Sequence, residues 1–152
     1  SPQNPQKEKK SLLNQHHRMQ IIQREIEDHN DLDVSDIEFN LPIPSYTIDT
    51  LVNISEKYPS YSFSIIMGED NIVSLPKWKN YKEILDNYSI YVYPRSGSFL
   101  KKTHKNIFYI EDVPLIDVSA SFIRNSIKSG KDVSSLLPEK AWKYIDEMNF
   151  YK

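Results

Sequence analysis

The sequence contains no cysteine and only three glycines among 152 residues. The absence of cysteine excludes disulfides, thiolate metal sites and a catalytic thiol. Gly68, Gly97 and Gly130 are too far apart for a G-x-G-x-x-G fingerprint or a Walker-type phosphate loop. Apolar runs are only a few residues long, whereas a membrane span needs about 20, and the first ten residues lack the apolar stretch of a signal peptide. We therefore expect a cytoplasmic protein without membrane contact.

The chain also lacks an excess of positive charge. It has 19 lysine and arginine residues against 21 aspartate and glutamate residues, so its formal net charge is −2 and a nucleic-acid partner is not expected. Its 39% hydrophobic and 26% charged residues are typical of a globular protein. No histidine or carboxylate pattern has the spacing of metal ligands, so no protein metal site is predicted.

The spacing of apolar residues alternates between the helical and the strand period along the chain. Strands are predicted at 34–39, 61–67, 88–93 and 106–110. Helices are predicted at 11–29, 47–58, 81–87 and 119–128, and a last helix begins at Pro138. The expected N-caps are Ser11, Thr47 and Ser119. The expected inward-facing residues are Ile48, Leu51, Val52, Tyr58, Phe122, Ile123, Ile127, Ala141, Tyr144, Ile145 and Met148. This alternation predicts an α/β fold with a mainly parallel sheet and flanking helices.

Ligands of parallel sheets bind beyond the carboxyl ends of the strands, and Gly68 and Asp70 follow the second predicted strand. Gly68 would allow close approach of a ligand to the backbone. Asp70 could accept hydrogen bonds from ribose hydroxyls or hold a cation. The alternative is a glycine turn in which Asp70 only caps the next helix.

Ser119, Ser121 and Arg124 surround the start of a predicted helix after the last strand. Free amides, two hydroxyls and a guanidinium at the positive end of a helix favour an anion, and a polyphosphate is a common ligand of such a site. The alternative is that Ser119 simply caps the helix and Arg124 is exposed to solvent.

Trp78 and Lys7 are two further candidates that lie in predicted loops. The indole of Trp78 could stack on a planar ring, or it could anchor the core. Lys7 could reach a phosphate, or it could belong to a solvated lysine-rich loop.

Five segments of the chain resemble, in the same order, bacterial nicotinate-nucleotide adenylyltransferases. Their sequences are PSYTIDTL (44–51), IIMGEDN (65–71), LPKWK (75–79), VYPRSG (92–97) and DVSASFIR (117–124). The similarity covers essentially the whole chain. It implies a Rossmann-like nucleotidyltransferase fold, with 1–152 as one domain and 119–152 as its C-terminal helical part. The activity it implies is transfer of the adenylyl group of ATP to nicotinate mononucleotide in NAD biosynthesis.

The resemblance also implies roles for the ATP-binding residues. Ser119, Ser121 and Arg124 match the family's phosphate-binding helix start, and Ser121 and Arg124 are the catalytic candidates because catalysis is mainly positioning and charge neutralisation, with Mg²⁺. The family usually has threonine where this chain has Ser121, and the hydroxyl is kept. Gly68 and Asp70 match the element that contacts adenosine.

A second group of residues matches the family's mononucleotide site. Trp78 corresponds to the tryptophan that stacks on the nicotinate ring, and the backbone of Lys79 helps to bind its carboxylate. Tyr46 and Thr47 line the same pocket. Lys7 corresponds to a lysine that reaches the mononucleotide phosphate.

The chain departs from the family by lacking its first strand, its His-x-Gly-His loop, the helix that follows and a second strand, a βαβ unit of roughly 30 residues or more. We therefore expect an N-terminally incomplete domain that is inactive by itself. An alternative function is a non-catalytic, nucleotide-binding remnant of the enzyme. Another adenylyltransferase of the same superfamily is disfavoured by the segments around Tyr46 and Trp78. Homo-oligomerisation stays open.

Overall fold

A computed structural model describes residues 12–95 and 104–152, which fall into two compact units. The sheet unit spans Leu41–Asp117, and the helical unit combines the described residues up to Asn40 with Val118–Lys152. No helix in the described ranges is long and apolar enough to cross a membrane.

The sheet unit contains three parallel strands in the order β1-β2-β3. They are β1 (Ser64–Gly68), β2 (Ser89–Tyr93) and β3 (Ile107–Tyr109). In the register, Ile65 pairs with Ile90, which in turn pairs with Ile107. The predicted parallel sheet is confirmed, and the carboxyl ends of β1 and β2 lie side by side because Gly68 pairs with Tyr93.

Three helices pack with the sheet to form the core of this unit. They are α2 (Thr47–Lys57), α3 (Glu69–Ser74) and α4 (Tyr81–Asn87), with a 3-10 turn at Leu75–Lys77 between the last two. Buried apolar residues from these helices, the 3-10 turn, β1 and β2 form one cluster: Ile48, Leu51, Met67, Ile72, Leu75, Ile84, Ile90 and Val92. The alternate residues Ile66, Tyr91 and Phe108 form a row on the other face of the sheet and are exposed.

The helical unit contains α1 (Gln15–Ile26), α5 (Ala120–Lys128) and α6 (Glu139–Glu147), with 3-10 turns at Ile37–Asn40 and Ser134–Leu136. Its core cluster consists of Ile123, Ile127, Val133 and Ile145. The ammonium group of Lys140 on α6 bonds to Asp28 and Glu27 after α1, and these carboxylates raise the pKa of Lys140. The predicted helices at 119–128 and after Pro138 are confirmed.

Near the start of the chain the predicted strand is wrong, and the predicted helix is present but shorter than 11–29. The residues predicted as a strand at 34–39 contain a 3-10 turn, Ile37–Asn40, because a loose alternation does not make a strand without a neighbouring strand to bond. Helix α1 begins at Gln15 and its N-cap is Asn14, whose side chain accepts from the His16 amide at 2.9 Å. The expected cap, Ser11, lies outside the described residues.

The predicted helix faces are too wide. Val52, Tyr58, Phe122 and Met148 are exposed, although each has a helical spacing to a buried residue. The width of the buried stripe depends on what packs against it, which spacing cannot predict. Thr47 is the first residue of helix α2 and not its cap, so the N-cap is Tyr46, one residue earlier than expected.

Candidate functional site

Gly68 ends β1 and is the N-cap residue of α3. Its φ of −72° and ψ of 156° suit any residue, so the backbone conformation does not require glycine. The requirement is space, because a Cβ added at this position would lie 2.6 Å from Oδ1 of Asp70. Glycine thus lets the Asp70 carboxylate lie directly against the end of β1.

Asp70 lies in the first turn of α3 and is not its cap. Gly68 occupies the N-cap position without a side-chain hydrogen bond, so the capping alternative is wrong. The Asp70 carboxylate instead pairs with Nε of Arg95 at 3.6 Å, and its side chain remains 62% exposed. It is therefore oriented by a neighbour and still accessible to a ligand.

Glu69 and Arg95 were not singled out from the sequence. Arg95 follows β2 as Asp70 follows β1, and its backbone N–H donates to Oε2 of Glu69 at 3.3 Å. Glu69 is only 4% exposed. Both residues lie within two positions of the end of a parallel strand, at the edge where ligands bind, and this was the available signal.

Trp78 follows the 3-10 turn after α3 and is half-buried against the core of the sheet unit. Its Nε1–H donates to Oγ of Ser74 at 3.3 Å, and the Ser74 hydroxyl donates to the carbonyl of Asn71 at 3.0 Å. The indole is thus fixed in orientation. The ring packs against the core, as the anchoring alternative expects, and because it is not fully covered, stacking on a planar ring stays a prediction.

Lys79, Tyr46 and Asp49 meet at the start of α2. Nζ of Lys79 lies 3.0 and 2.9 Å from the two carboxylate oxygens of Asp49 and 4.9 Å from the ring centroid of Tyr46. Tyr46 and Trp78 pack against the same core cluster, and Thr47 is the first residue of the helix. The structure thus places four predicted residues, Tyr46, Thr47, Trp78 and Lys79, in one unit around its core.

In the helical unit, Ser119, Ser121 and Arg124 are brought together at the start of α5. Oγ of Ser119 accepts from the Phe122 amide at 3.1 Å, which confirms the predicted cap. The guanidinium of Arg124 donates through Nη2 to Oγ of Ser121, also at 3.1 Å. A cationic group and a hydroxyl therefore accompany the amides of the helix terminus.

Tyr151 and Arg18 belong to the surroundings of Arg124. Burial raises the pKa of the Tyr151 phenol, while the guanidinium groups of Arg124 and Arg18 act in the opposite direction. Arg18 also donates from Nε to the carbonyl of Leu13 at 3.0 Å. The sequence does not point to Arg18, because its proximity to Tyr151 depends on packing in the helical unit.

Two expectations remain, one for Lys7 and one for a metal site. Lys7 lies outside the described residues. Within 12–95 and 104–152, no group of three or more histidine and carboxylate side chains could hold a metal ion.

The comparisons with known proteins agree with this architecture. The model of the cytidylyltransferase-like family matches residues 1–126. Proteins named "Probable nicotinate-nucleotide adenylyltransferase" from Flavobacterium johnsoniae and Christiangramia forsetii are each 50% identical, over alignments of 156 and 158 positions that cover all of this chain and 80% of each relative. The chain therefore belongs to the cytidylyltransferase-like nucleotidyltransferases, in the branch of the nicotinate-nucleotide adenylyltransferases.

Solved structures share the fold at low identity. Plasmodium falciparum nicotinic acid mononucleotide adenylyltransferase in complex with APC has a TM-score of 0.75 at 20% identity, covering 93% of this chain and 77% of its own. The same enzyme in complex with NaAD has a TM-score of 0.76 at 20% identity, covering 95% and 78%. These values confirm the nucleotidyltransferase fold.

Proposed function

We propose that this protein transfers the adenylyl group of ATP to nicotinate mononucleotide in the biosynthesis of NAD. A phosphate oxygen of the mononucleotide attacks the α-phosphorus of ATP, and the bond from that phosphorus to the bridging oxygen breaks. Pyrophosphate leaves with the electron pair, and nicotinate adenine dinucleotide is formed. The attacking oxygen is already anionic, so no protein base has to remove a proton. The observation that carries this proposal is 50% identity to relatives of that name over the whole chain.

ATP is assigned to two groups of residues, one in each unit. In the sheet unit, the exposed Asp70 carboxylate supports a contact with adenosine, and Gly68 leaves it the necessary space. In the helical unit, Ser119, Ser121 and the Arg124 guanidinium support binding of the phosphates. Arg124 and Ser121 are the proposed catalytic pair, because they would stabilise the charge that develops on the transferred phosphate.

The mononucleotide is assigned to the residues near the start of α2. The indole of Trp78, fixed by Ser74, offers a face for stacking on the nicotinate ring. The backbone of Lys79 and the residues Tyr46 and Thr47 complete this proposed pocket. Lys7 is proposed for the phosphate of the mononucleotide on the resemblance alone.

We also propose that Mg²⁺ enters as part of the MgATP substrate. The described residues offer no cluster of three acidic or histidine side chains, and Mg²⁺ commonly binds substrate phosphates with only one or two carboxylates. A cytoplasmic location, where ATP is abundant, completes the proposal.

The test uses the protein expressed from its complete gene, with ATP and nicotinate mononucleotide varied separately and the dinucleotide product quantified by chromatography. Trp78→Ala should raise KM for the mononucleotide about 5- to 150-fold, the factor for a loss of about 1–3 kcal/mol when one base no longer stacks on an aromatic side chain. It should leave KM for ATP nearly unchanged. Trp142→Phe, in the helical unit, is the matched control. Equal effects on both substrates would contradict the assignment of Trp78.

Arg124→Ala should mainly lower kcat/KM for ATP, whereas Lys128→Ala, four residues further along α5, should not. Unchanged ATP use in Arg124→Ala would contradict the role of the guanidinium. If the wild-type protein binds both nucleotides but forms no dinucleotide, the proposed activity is wrong and the alternative of a nucleotide-binding remnant is correct.

A further inference from the structure

A buried carboxylate at the end of β1 has no role in the proposed chemistry. Glu69 is the first residue of α3 and is only 4% exposed, although glutamate is rarely buried in proteins. Its two neighbours in the sequence, Gly68 and Asp70, belong to the proposed ATP site. The side chain therefore needs a physical explanation.

The Glu69 carboxylate joins the carboxyl ends of two neighbouring strands. Its Oε2 accepts a hydrogen bond from the backbone N–H of Arg95 at 3.3 Å, just after β2. The side chain of the same arginine points back toward β1, where its Nε lies 3.6 Å from Oδ1 of Asp70. Successive carboxylates on α3 thus hold the backbone and the side chain of one arginine.

This arrangement is not explained by stability. Removing a carboxylate from water is unfavourable, and replacing a buried polar interaction by an apolar side chain of similar size is often neutral or stabilising. The Asp70–Arg95 pair is itself more than half exposed, and such pairs contribute little to stability. What the contacts do provide is a fixed orientation of the Asp70 carboxylate.

We propose that Glu69 is a positioning residue for ATP: by fixing the backbone at Arg95, it keeps the guanidinium on Asp70 and Asp70 in its binding orientation. This inference rests on the proposed function, in which Asp70 contacts adenosine. It assigns Glu69 the role of a hydrogen-bond acceptor. Its side-chain oxygen is then required to hold the Arg95 backbone, and its negative charge is not.

The experiment compares Glu69→Gln, which keeps an acceptor oxygen, with Glu69→Met, which keeps the side-chain length and removes it. Glu69→Met should raise KM for ATP roughly tenfold, the factor expected for one lost hydrogen bond. KM for the mononucleotide and the midpoint of thermal unfolding should stay close to wild type. Glu69→Gln should restore KM for ATP to within about twofold. Equal impairment by both variants, or no effect of methionine, would overturn the proposal.

A double-variant cycle tests whether Glu69 acts through Arg95. In an Arg95→Ala background the guanidinium is gone, so Glu69→Met should add no further increase of KM for ATP. An additive increase of KM for ATP would overturn the proposal that Glu69 acts through Arg95.

Amide hydrogen exchange gives a readout that does not depend on activity. The Arg95 amide should exchange faster in Glu69→Met than in Glu69→Gln, and equal rates would contradict the inference. Absence of product from the wild-type protein would instead contradict the proposed function, so the two failures can be distinguished.

Discussion

Gly68→Ala is a sharp test of how the end of β1 presents Asp70. The added Cβ would lie 2.6 Å from Oδ1 of Asp70, closer than real Cβ atoms approach an oxygen, and 3.7 Å from Nε of Arg95. The backbone at Gly68 tolerates alanine, since φ is −72° and ψ is 156°. The substitution must therefore displace the Asp70 carboxylate away from Arg95, and the 62% exposure of its side chain leaves room for that movement.

The expected effects on stability and on ATP binding differ widely. Loss of the exposed ion pair costs about 0–1 kcal/mol, and alanine is favoured over glycine in a strand by about 0.5–1 kcal/mol. The two nearly cancel, so the unfolding midpoint should shift by less than about 4 °C. A hydrogen bond to a charged group contributes about 1.5–3 kcal/mol, so kcat/KM for ATP should fall about 10- to 150-fold.

The assay measures initial rates with ATP varied at saturating mononucleotide, for wild type, Gly68→Ala, Asp70→Ala and the double variant. Asp70→Ala removes the atom that the new methyl group would strike. The double variant should therefore be no worse than Asp70→Ala alone. A Gly68→Ala enzyme with wild-type ATP kinetics, or a double variant much worse than Asp70→Ala, would refute the reasoning that Gly68 acts through Asp70.

Three further substitutions test single positions. Ser74→Ala, made in a Trp142→Phe background, removes the hydrogen-bond acceptor of the Trp78 indole. It should change the fluorescence of Trp78 and raise KM for the mononucleotide a few-fold. Unchanged fluorescence together with an unchanged KM would contradict the positioning of the ring by Ser74. Ser119→Ala removes the N-cap of α5 and should lower the free energy of unfolding by about 1 kcal/mol in urea, a loss that Ser119→Asp should largely prevent. Gly130→Ala should cost about 1–2 kcal/mol because φ is +71° and no atom lies near the new Cβ, so a neutral result would disprove a purely conformational cost.

The order of strands and helices in the sheet unit was largely predictable from the sequence. The predicted helix 81–87 has the same bounds as α4, and the predicted strand 88–93 differs from β2 by one residue. Short apolar runs that end at Gly68 and Pro94 carry this information locally. The predicted strand 34–39 failed because pairing with another strand, and not local alternation, makes a strand.

By itself the sequence also determined the start of α5. Ser119 as cap and Arg124 beside Ser121 follow from helical geometry, in which residues three apart share a face. The same holds for the glycine that ends this helix, because Gly130 tolerates the left-handed conformation. These features depend on a few neighbouring residues, so the local sequence predicts them.

Only the tertiary structure decided which distant residues act together. Arg95 contacts Glu69 across 26 positions of sequence, and Lys79 contacts Asp49 across 30. Parallel strands are joined by long crossovers, so residues that meet at their carboxyl ends are far apart in the chain. Burial of Glu69 and the pairing of Asp70 with Arg95 arise from that packing, because burial and pairing are properties of the folded neighbourhood and not of the residue.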